Sequence, residues 1–178
     1  MSEDNFIEWS AKKPLSWSDF QAEANLGAYE DSHSFIKYHY TWTVTSDNVG
    51  PKIVFLIENI QLFTQFHCLL SWIRPNQENN SLLNHEQGHF DLSELIKRQH
   101  IDELQNKFNG KYYPTRGKNE EQRKQFAKED SGKMIAKEIE KLEKILSEKR
   151  RDYDEETEFG YNQKMQSEYD SVFSKLRN

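Results

Sequence analysis

The chain has 178 residues and a net charge of −6, with 35% apolar and 30% charged residues. So low an apolar share would suit a disordered chain, yet 11 Phe, 8 Tyr and 4 Trp can each bury roughly 150–250 Å², enough for one compact core. The acidic balance argues against a nucleic-acid partner, because phosphate backbones are bound by clustered Lys and Arg, and no apolar run is long enough for an integral membrane segment.

The start, Met1 to Ser10, is polar and acidic and lacks the basic and apolar regions of a signal peptide. Trp9, Leu15, Trp17 and Phe20 are expected to tuck against a sheet. From Phe35 to Thr45 the residues alternate, with Ile36, Tyr38, Tyr40, Trp42 and Val44 on one face and Lys37, His39, Thr41 and Thr43 on the other, the pattern of a half-buried strand. Ser46 to Pro51 is turn chemistry. Ile53 to Ile60 reads as a second strand hairpinned to the first, and Phe66 to Ile73 as a third, stopped at Arg74-Pro75-Asn76. Cys68, the only cysteine, excludes an internal disulfide and any cysteine-rich metal cluster, and beside Leu69 and Leu70 it reads as a small buried residue.

Asn79 onward predicts a helix that ends at Asn109-Gly110. A second helix follows the Lys111–Asn119 loop, with Ile135, Ile139, Leu142 and Leu146 in a narrow apolar seam. The last carries Tyr161, Met165, Tyr169, Val172, Phe173 and Leu176 on one side. The expected architecture is a single α+β domain over 1–178, with a sheet-rich part (1–78), one helix (79–110) and a helical part (111–178). Its small antiparallel or mixed sheet packs on the first helix. Residues 1–113 hold 9 basic and 15 acidic residues, hence the whole −6, and 17 of the 23 aromatics; the remainder reads as solvated helices laid against that core.

The chemistry centres on His85-Glu86-Gln87-Gly88-His89, an HExxH motif within the first predicted helix. Its two imidazoles stand one turn apart on one face and can hold one Zn²⁺, while Glu86 is rotated toward a metal-bound water. A chain of this composition produces the motif by accident only about 0.02 times. The competing reading is a pair of helix-surface histidines. Gly88 disfavours helix by about 1 kcal/mol relative to Ala and suits close approach of a backbone or substrate. His33, His39, His67 and His100 have no partner at ligand spacing and read as ordinary positions.

Trp9-Ser10 with Leu15-Ser16-Trp17-Ser18-Asp19-Phe20, then Ser71-Trp72-Ile73, Leu82 through Leu95, and Tyr153-Asp154-Glu155-Glu156-Thr157 with Gln166 resemble successive signatures of a bacterial family. That family, long known only as a domain of unknown function, is described as secreted and Zn-dependent protease-like, within the HExxH zincin superfamily. The resemblance spans nearly the whole chain, and Leu82–Leu95 is its most specific stretch. It implies a zincin-like fold, a zinc site, peptidase activity on a peptide or protein substrate, and a periplasmic or secreted location.

One position departs from the family pattern. The histidine implied as third ligand, two residues beyond the threonine, is here Phe159, which cannot bind zinc, whereas a catalytic site needs three protein ligands and an open position. Glu158 and Glu155 are the candidate replacements, with Glu158 favoured because a small register shift brings its carboxylate to the same place. Its competing reading is a solvated carboxylate in an acidic loop. Glu94 is less suited, because nine residues beyond His85 at 100° each place it on the opposite helix face.

If zinc binds, Glu86 is the general base. Tyr112, Tyr113, Tyr153 and His100 are candidate oxyanion donors, Asp91 and Glu94 candidate partners for an imidazole N–H, and the strand ending at Trp72-Ile73 a candidate open edge for an extended peptide. Two rival readings remain: a catalytically inactive zincin-like module that binds peptide or protein, favoured by Phe159, and a coiled-coil docking surface on the helix Glu120 to Tyr153.

Overall fold

The computed structural model describes residues 5–178; residues 1–4 of the polar start lie outside the described residues. A short strand, β1 (Phe6–Glu8), is followed by a 3-10 turn at Trp17–Asp19 and by β2 (Ser32–His33). β3 (Ile36–Val49) and β4 (Lys52–His67) form a long antiparallel hairpin in which Val49 faces Lys52. Gly50 turns it with φ 59°, a left-handed conformation that costs glycine no Cβ clash.

The sequence pattern ends the second strand at Ile60, but β4 continues to His67. The register shifts between Thr41 and Thr43, whose partners are Gln61 and Glu58, so Asn59 and Ile60 together oppose Trp42. Asn59 absorbs this bulge at φ 52°, which asparagine tolerates better than most residues. The extra residue flips the phase of the strand: Phe55 and Ile57 are buried before it, and Ile60, Leu62, Thr64 and Phe66 after it. The phase change hides the continuity of β4 from a simple period-two reading. Of the expected third strand, Phe66 and His67 belong to β4, Cys68–Leu70 form a 3-10 turn, and only β5 (Trp72–Ile73) is extended.

Three helices complete the chain: α1 (Asn80–Phe108), then, after β6 (Tyr113–Pro114), α2 (Glu120–Thr157) and α3 (Gln163–Ser174). Each begins at an asparagine whose side chain accepts a first-turn amide, Asn79 from Leu82 at 2.8 Å, Asn119 from Gln122 at 2.9 Å and Asn162 from Met165 at 3.2 Å. Such caps satisfy otherwise orphaned donors. The main sheet runs β1-β4-β3 with β6 also on β4, entirely antiparallel, and β2 pairs with β5 in a separate two-stranded sheet. The fold is therefore α+β with small antiparallel sheets. No helix among the described residues is long and apolar enough to cross a membrane.

α1 packs on β4 and is flanked by α2 and α3. Phe55, Ile57, Leu62, Leu92 and Ile96 share one core with Ile135, Ile139, Leu142 and Leu146. The apolar seam of α2 is thus used inside the fold, which removes the surface that the coiled-coil reading required. In the last helical segment Phe173 and Leu176 are buried, but Val172 and Tyr161 are exposed, and Tyr161 precedes α3. A second cluster joins Leu15, Phe20, Ile36, Phe66, Cys68 and Phe90, with Trp9 and Trp17 against it, as expected of the tucked N-terminal segment and of Cys68.

α1 and α2 run antiparallel, since α1 meets α2 through Tyr153 beside His85 near one end and through the Lys107–Glu138 pair near the other. Gly88 makes the first contact possible: a Cβ there would lie 2.0 Å from the Tyr153 hydroxyl oxygen and 2.8 Å from Tyr153 Cζ. The close approach expected at Gly88 is thus made by a tyrosine of α2, not by a backbone or substrate. Gly88→Ala should therefore destabilise the protein by about 1–3 kcal/mol in urea denaturation, as overpacking does, reversing the gain of about 1 kcal/mol that helix propensity alone assigns to alanine.

Candidate metal centre

His85 and His89 lie on the face of α1 that meets α2, and both are buried. Their Nε2 atoms converge on Oδ1 of Asp154, at 3.0 Å from His85 and 2.8 Å from His89. The three donor atoms lie within 4.8 Å of one another. The third member of the cluster is therefore Asp154, on the last turns of α2, and not Glu158. Glu158 is the exposed C-cap of α2 at φ 50° and Phe159 follows at φ 54°. Two successive left-handed residues with side chains cost about 1–2 kcal/mol each.

They turn the chain sharply back, so that Asn162 N–H donates to Thr157 O at 2.8 Å, and Gly160, at φ 90°, passes over His85 so closely that a Cβ would sit 2.9 Å from the His85 Cβ. Phe159 packs its ring on Tyr29 at 5.3 Å. The pattern position expected to ligate is thus used to close the chain around His85, and the carboxylate comes instead from Asp154, one residue beyond the tyrosine that packs on Gly88.

The hydrogen-bond network sets the tautomer of His85. Gln166 Nε2 donates to Asp170 Oδ1 at 2.9 Å, an acceptor that fixes the amide orientation, so Gln166 Oε1 faces His85 Nδ1 at 3.0 Å and must receive its proton. Nε2 of a neutral His85 then points a lone pair at a carboxylate oxygen 3.0 Å away. Two acceptors in that arrangement require a cation between them, either a proton or a metal. Burial depresses the basicity of His85, but the hydrogen bond to Asp154, the charge of Glu86 and the Gln166 bond outweigh it and raise the pKa. Against its own burial, the Asp154 carboxyl is held well below the usual carboxylate range by His89 and His85. His89 Nδ1 is buried with no partner among the described residues, and burial together with the charge of Arg150 lowers the pKa of this ring. A neutral His89 presenting Nε2, an Nδ1-protonated His85 and an ionised carboxylate form a donor set with the nitrogen and oxygen chemistry of a divalent transition metal.

Tyr153 backs the cluster. Its ring stacks on His85 at 4.6 Å and 8° and meets His89 edge-on at 4.9 Å, while its hydroxyl donates to His85 O at 3.0 Å and accepts from Gln166 Nε2 at 2.9 Å. Glu86 is buried on the other side. Ser32 Oγ donates to its Oε1 at 2.6 Å and Ser34 Oγ donates to Oε2. Burial would raise the Glu86 pKa, but the two histidines and the two serines lower it on balance, so the carboxylate is ionised and fixed in orientation.

The cluster opens into a cleft of about 1200 Å³ whose wall includes Glu86, His33, Arg150 and the segment Ser34–Lys37. None of the candidate oxyanion donors faces it. Tyr112 is exposed, Tyr113 sits in β6 against Phe55, the Tyr153 hydroxyl lies behind the imidazoles, and His100 approaches Glu103 at 3.9 Å. Trp72-Ile73 pairs with β2 and does not line the cleft; the chain along it is Ser34–Lys37, which leads into β3, and not the strand expected. Asp91 binds Trp9 Nε1 at 2.8 Å and Arg177 Nη2 at 2.6 and 2.8 Å, and Glu94 accepts from Thr64 at 3.1 Å and pairs with Lys97 at 2.7 Å. Both tie the chain together and neither reaches an imidazole.

Sequence reasoning did not weigh Asp154 as a ligand, read His33 as an ordinary position, and missed Ser32, Ser34 and Arg150. The signal for Arg150 was available: it precedes Asp154 by four residues, and on a helix that spacing shares a face. The chain matches no protein-family model, no curated protein and no solved structure. Tyr153→Phe, which deletes two buried hydrogen bonds and keeps the ring, should lower stability by about 1–2 kcal/mol, and Tyr153→Leu by more, because the stack on His85 is lost as well; equilibrium urea unfolding measures both.

Proposed function

We propose that this chain is a zinc-dependent metallopeptidase of zincin type, hydrolysing peptide bonds with Glu86 as general base. The observation that carries the reading is the convergence of His85 Nε2, His89 Nε2 and Asp154 Oδ1, a His₂Asp set on the floor of an open cleft. Zinc in such a set supplies Lewis acidity and lowers the pKa of water in its open position to about 7. The residues of the chain do the rest. His85 is held in its donor tautomer by Gln166, and Tyr153 fixes the plane of its ring, the support that metal ligands need. Glu86 is ionised, and the serine hydroxyls occupy one lone pair on each oxygen, leaving others to accept a proton from an attacking water and return it to the leaving amine. β3 is an edge strand whose first residues, Ile36 and Lys37, line the cleft, and an extended peptide would add there as a further strand.

The rival reading, an inactive zincin-like binding module, drew its support from Phe159. Asp154 supplies the donor that Phe159 lacks, which favours the enzyme. The proposed compartment is periplasmic or extracellular, on the resemblance alone.

Metal analysis after dialysis against trace zinc should return one equivalent for the unaltered protein. Asp154→Asn should weaken zinc binding more than tenfold and Gln166→Ala by about 10–100-fold, whereas Glu158→Gln should leave it unchanged; a loss confined to Glu158→Gln would return the third ligand to that residue. Glu86→Gln should keep its zinc and lose about 10²–10⁴-fold in peptide hydrolysis, and hydrolysis at the unaltered rate would exclude Glu86 as base.

A further inference from the structure

We propose that Arg150 forms a carboxylate-binding subsite in the cleft beside the metal cluster, so that the substrates are peptides presenting a carboxylate there. The proposal rests on the metallopeptidase reading above. Arg150 lies one helical turn before Asp154 on α2 and lines the same cleft. Its guanidinium makes one hydrogen bond among the described residues, from Nη2 to Ser34 O at 2.6 Å. Five N–H donors are available on a guanidinium, and no carboxylate lies within ion-pair distance of this one among the described residues.

An arginine so placed lacks its usual counterion. Half-buried and desolvated, it is attracted only at longer range by Glu86, Asp154 and Glu30. Loading the site changes that balance. A divalent ion takes up the charge of Asp154, and Glu86 is already held by two serine hydroxyls. On the floor of the loaded cleft two positive charges from the ion and one from Arg150 face one negative charge each from Glu86 and Asp154. One unit of positive charge is left over, and it sits in a water-poor wall where a charged hydrogen bond is strong. Glu30, Asp31, Glu143, Glu155 and Glu158 also line the cleft, but Asp31 pairs with Arg74 at 3.1 Å, Glu155 and Glu158 are exposed to screening water and salt, and none of the five makes an ion pair with Arg150. Three other basic side chains line the cleft: Lys37 and Arg151 are exposed, where water and salt screen them, and His33 has its pKa lowered by burial and by Arg150 itself.

The planar fork of a guanidinium matches a carboxylate in two parallel hydrogen bonds. Two peptide groups offer that chemistry, the C-terminal carboxylate and the side chain of Asp or Glu. The first would make the enzyme trim chain ends, and the second would direct internal cleavage near acidic residues.

The test uses zinc-loaded Glu86→Gln protein, so that binding is read without turnover. Three N-acetylated hexapeptides of otherwise identical neutral sequence are titrated calorimetrically: the C-terminal acid, its C-terminal amide, and the amide with one internal Glu. The acid, the Glu-containing amide or both should bind about tenfold more tightly than the neutral amide, and which one does so identifies the source of the carboxylate. Adding Arg150→Met should abolish the difference while zinc stoichiometry stays at one. Arg150→Lys should retain part of it, because the charge remains and the fork is lost. Equal affinity for all three peptides in zinc-loaded protein with Arg150 intact would overturn the subsite and leave the metallopeptidase reading standing. A protein that takes up no zinc would instead overturn that reading, and the subsite with it.

Discussion

The site depends on a glycine that lets one helix lie against another. Without a side chain at residue 88, the ring of Tyr153 reaches the surface of α1 and stacks on His85. That contact sets the height and rotation of α2 at its C-terminal end. Asp154 is the next residue, and its carboxylate is thereby delivered between the two imidazoles. The tyrosine and the aspartate act together: one supplies packing energy in a dry environment, and the other adds a charge that would be costly there without cationic partners.

Around this contact the remaining elements serve as clamps. α3 brings Gln166 behind His85, and Asp170 on the same helix fixes which way the amide points. The left-handed turn at Glu158, Phe159 and Gly160 folds the chain over the His85 side chain. β2 and the two-residue link from it to β3 contribute Ser32 and Ser34 to Glu86, and Arg150 holds the backbone of Ser34 from α2. Strand, helix and loop thus fix each of the charged groups from a different direction. The N-terminal segment is tied in at a second place, where Asp91 of α1 joins Trp9 to Arg177 near the C-terminus.

Helical periodicity made α1 and the seam of α2 legible, since their apolar residues recur every three or four positions and face one of the two buried clusters. Strand alternation located β3 and the start of β4 for the same reason. It failed at Asn59, where an inserted residue moves the buried face from odd to even positions. A local pattern has no means of registering the opposing strand, which is what makes the insertion a bulge instead of a strand end.

Two histidines and a glutamate within one helical turn are a local fact, and sequence alone determined them, together with the helix that carries them. The third donor is not local. Asp154 lies 65 residues beyond His89, amid acidic neighbours of the same type, and spacing could not choose among Asp154, Glu155 and Glu158. The choice was made by the packing of Tyr153 on Gly88, which aims Asp154 inward and leaves Glu155, the next helical position, at the surface, and by the left-handed turn after Thr157, which leaves Glu158 exposed. The environment of Arg150 was decided in the same way: its charge is written in the sequence, but its lack of a counterion arises only when two helices and a strand enclose it.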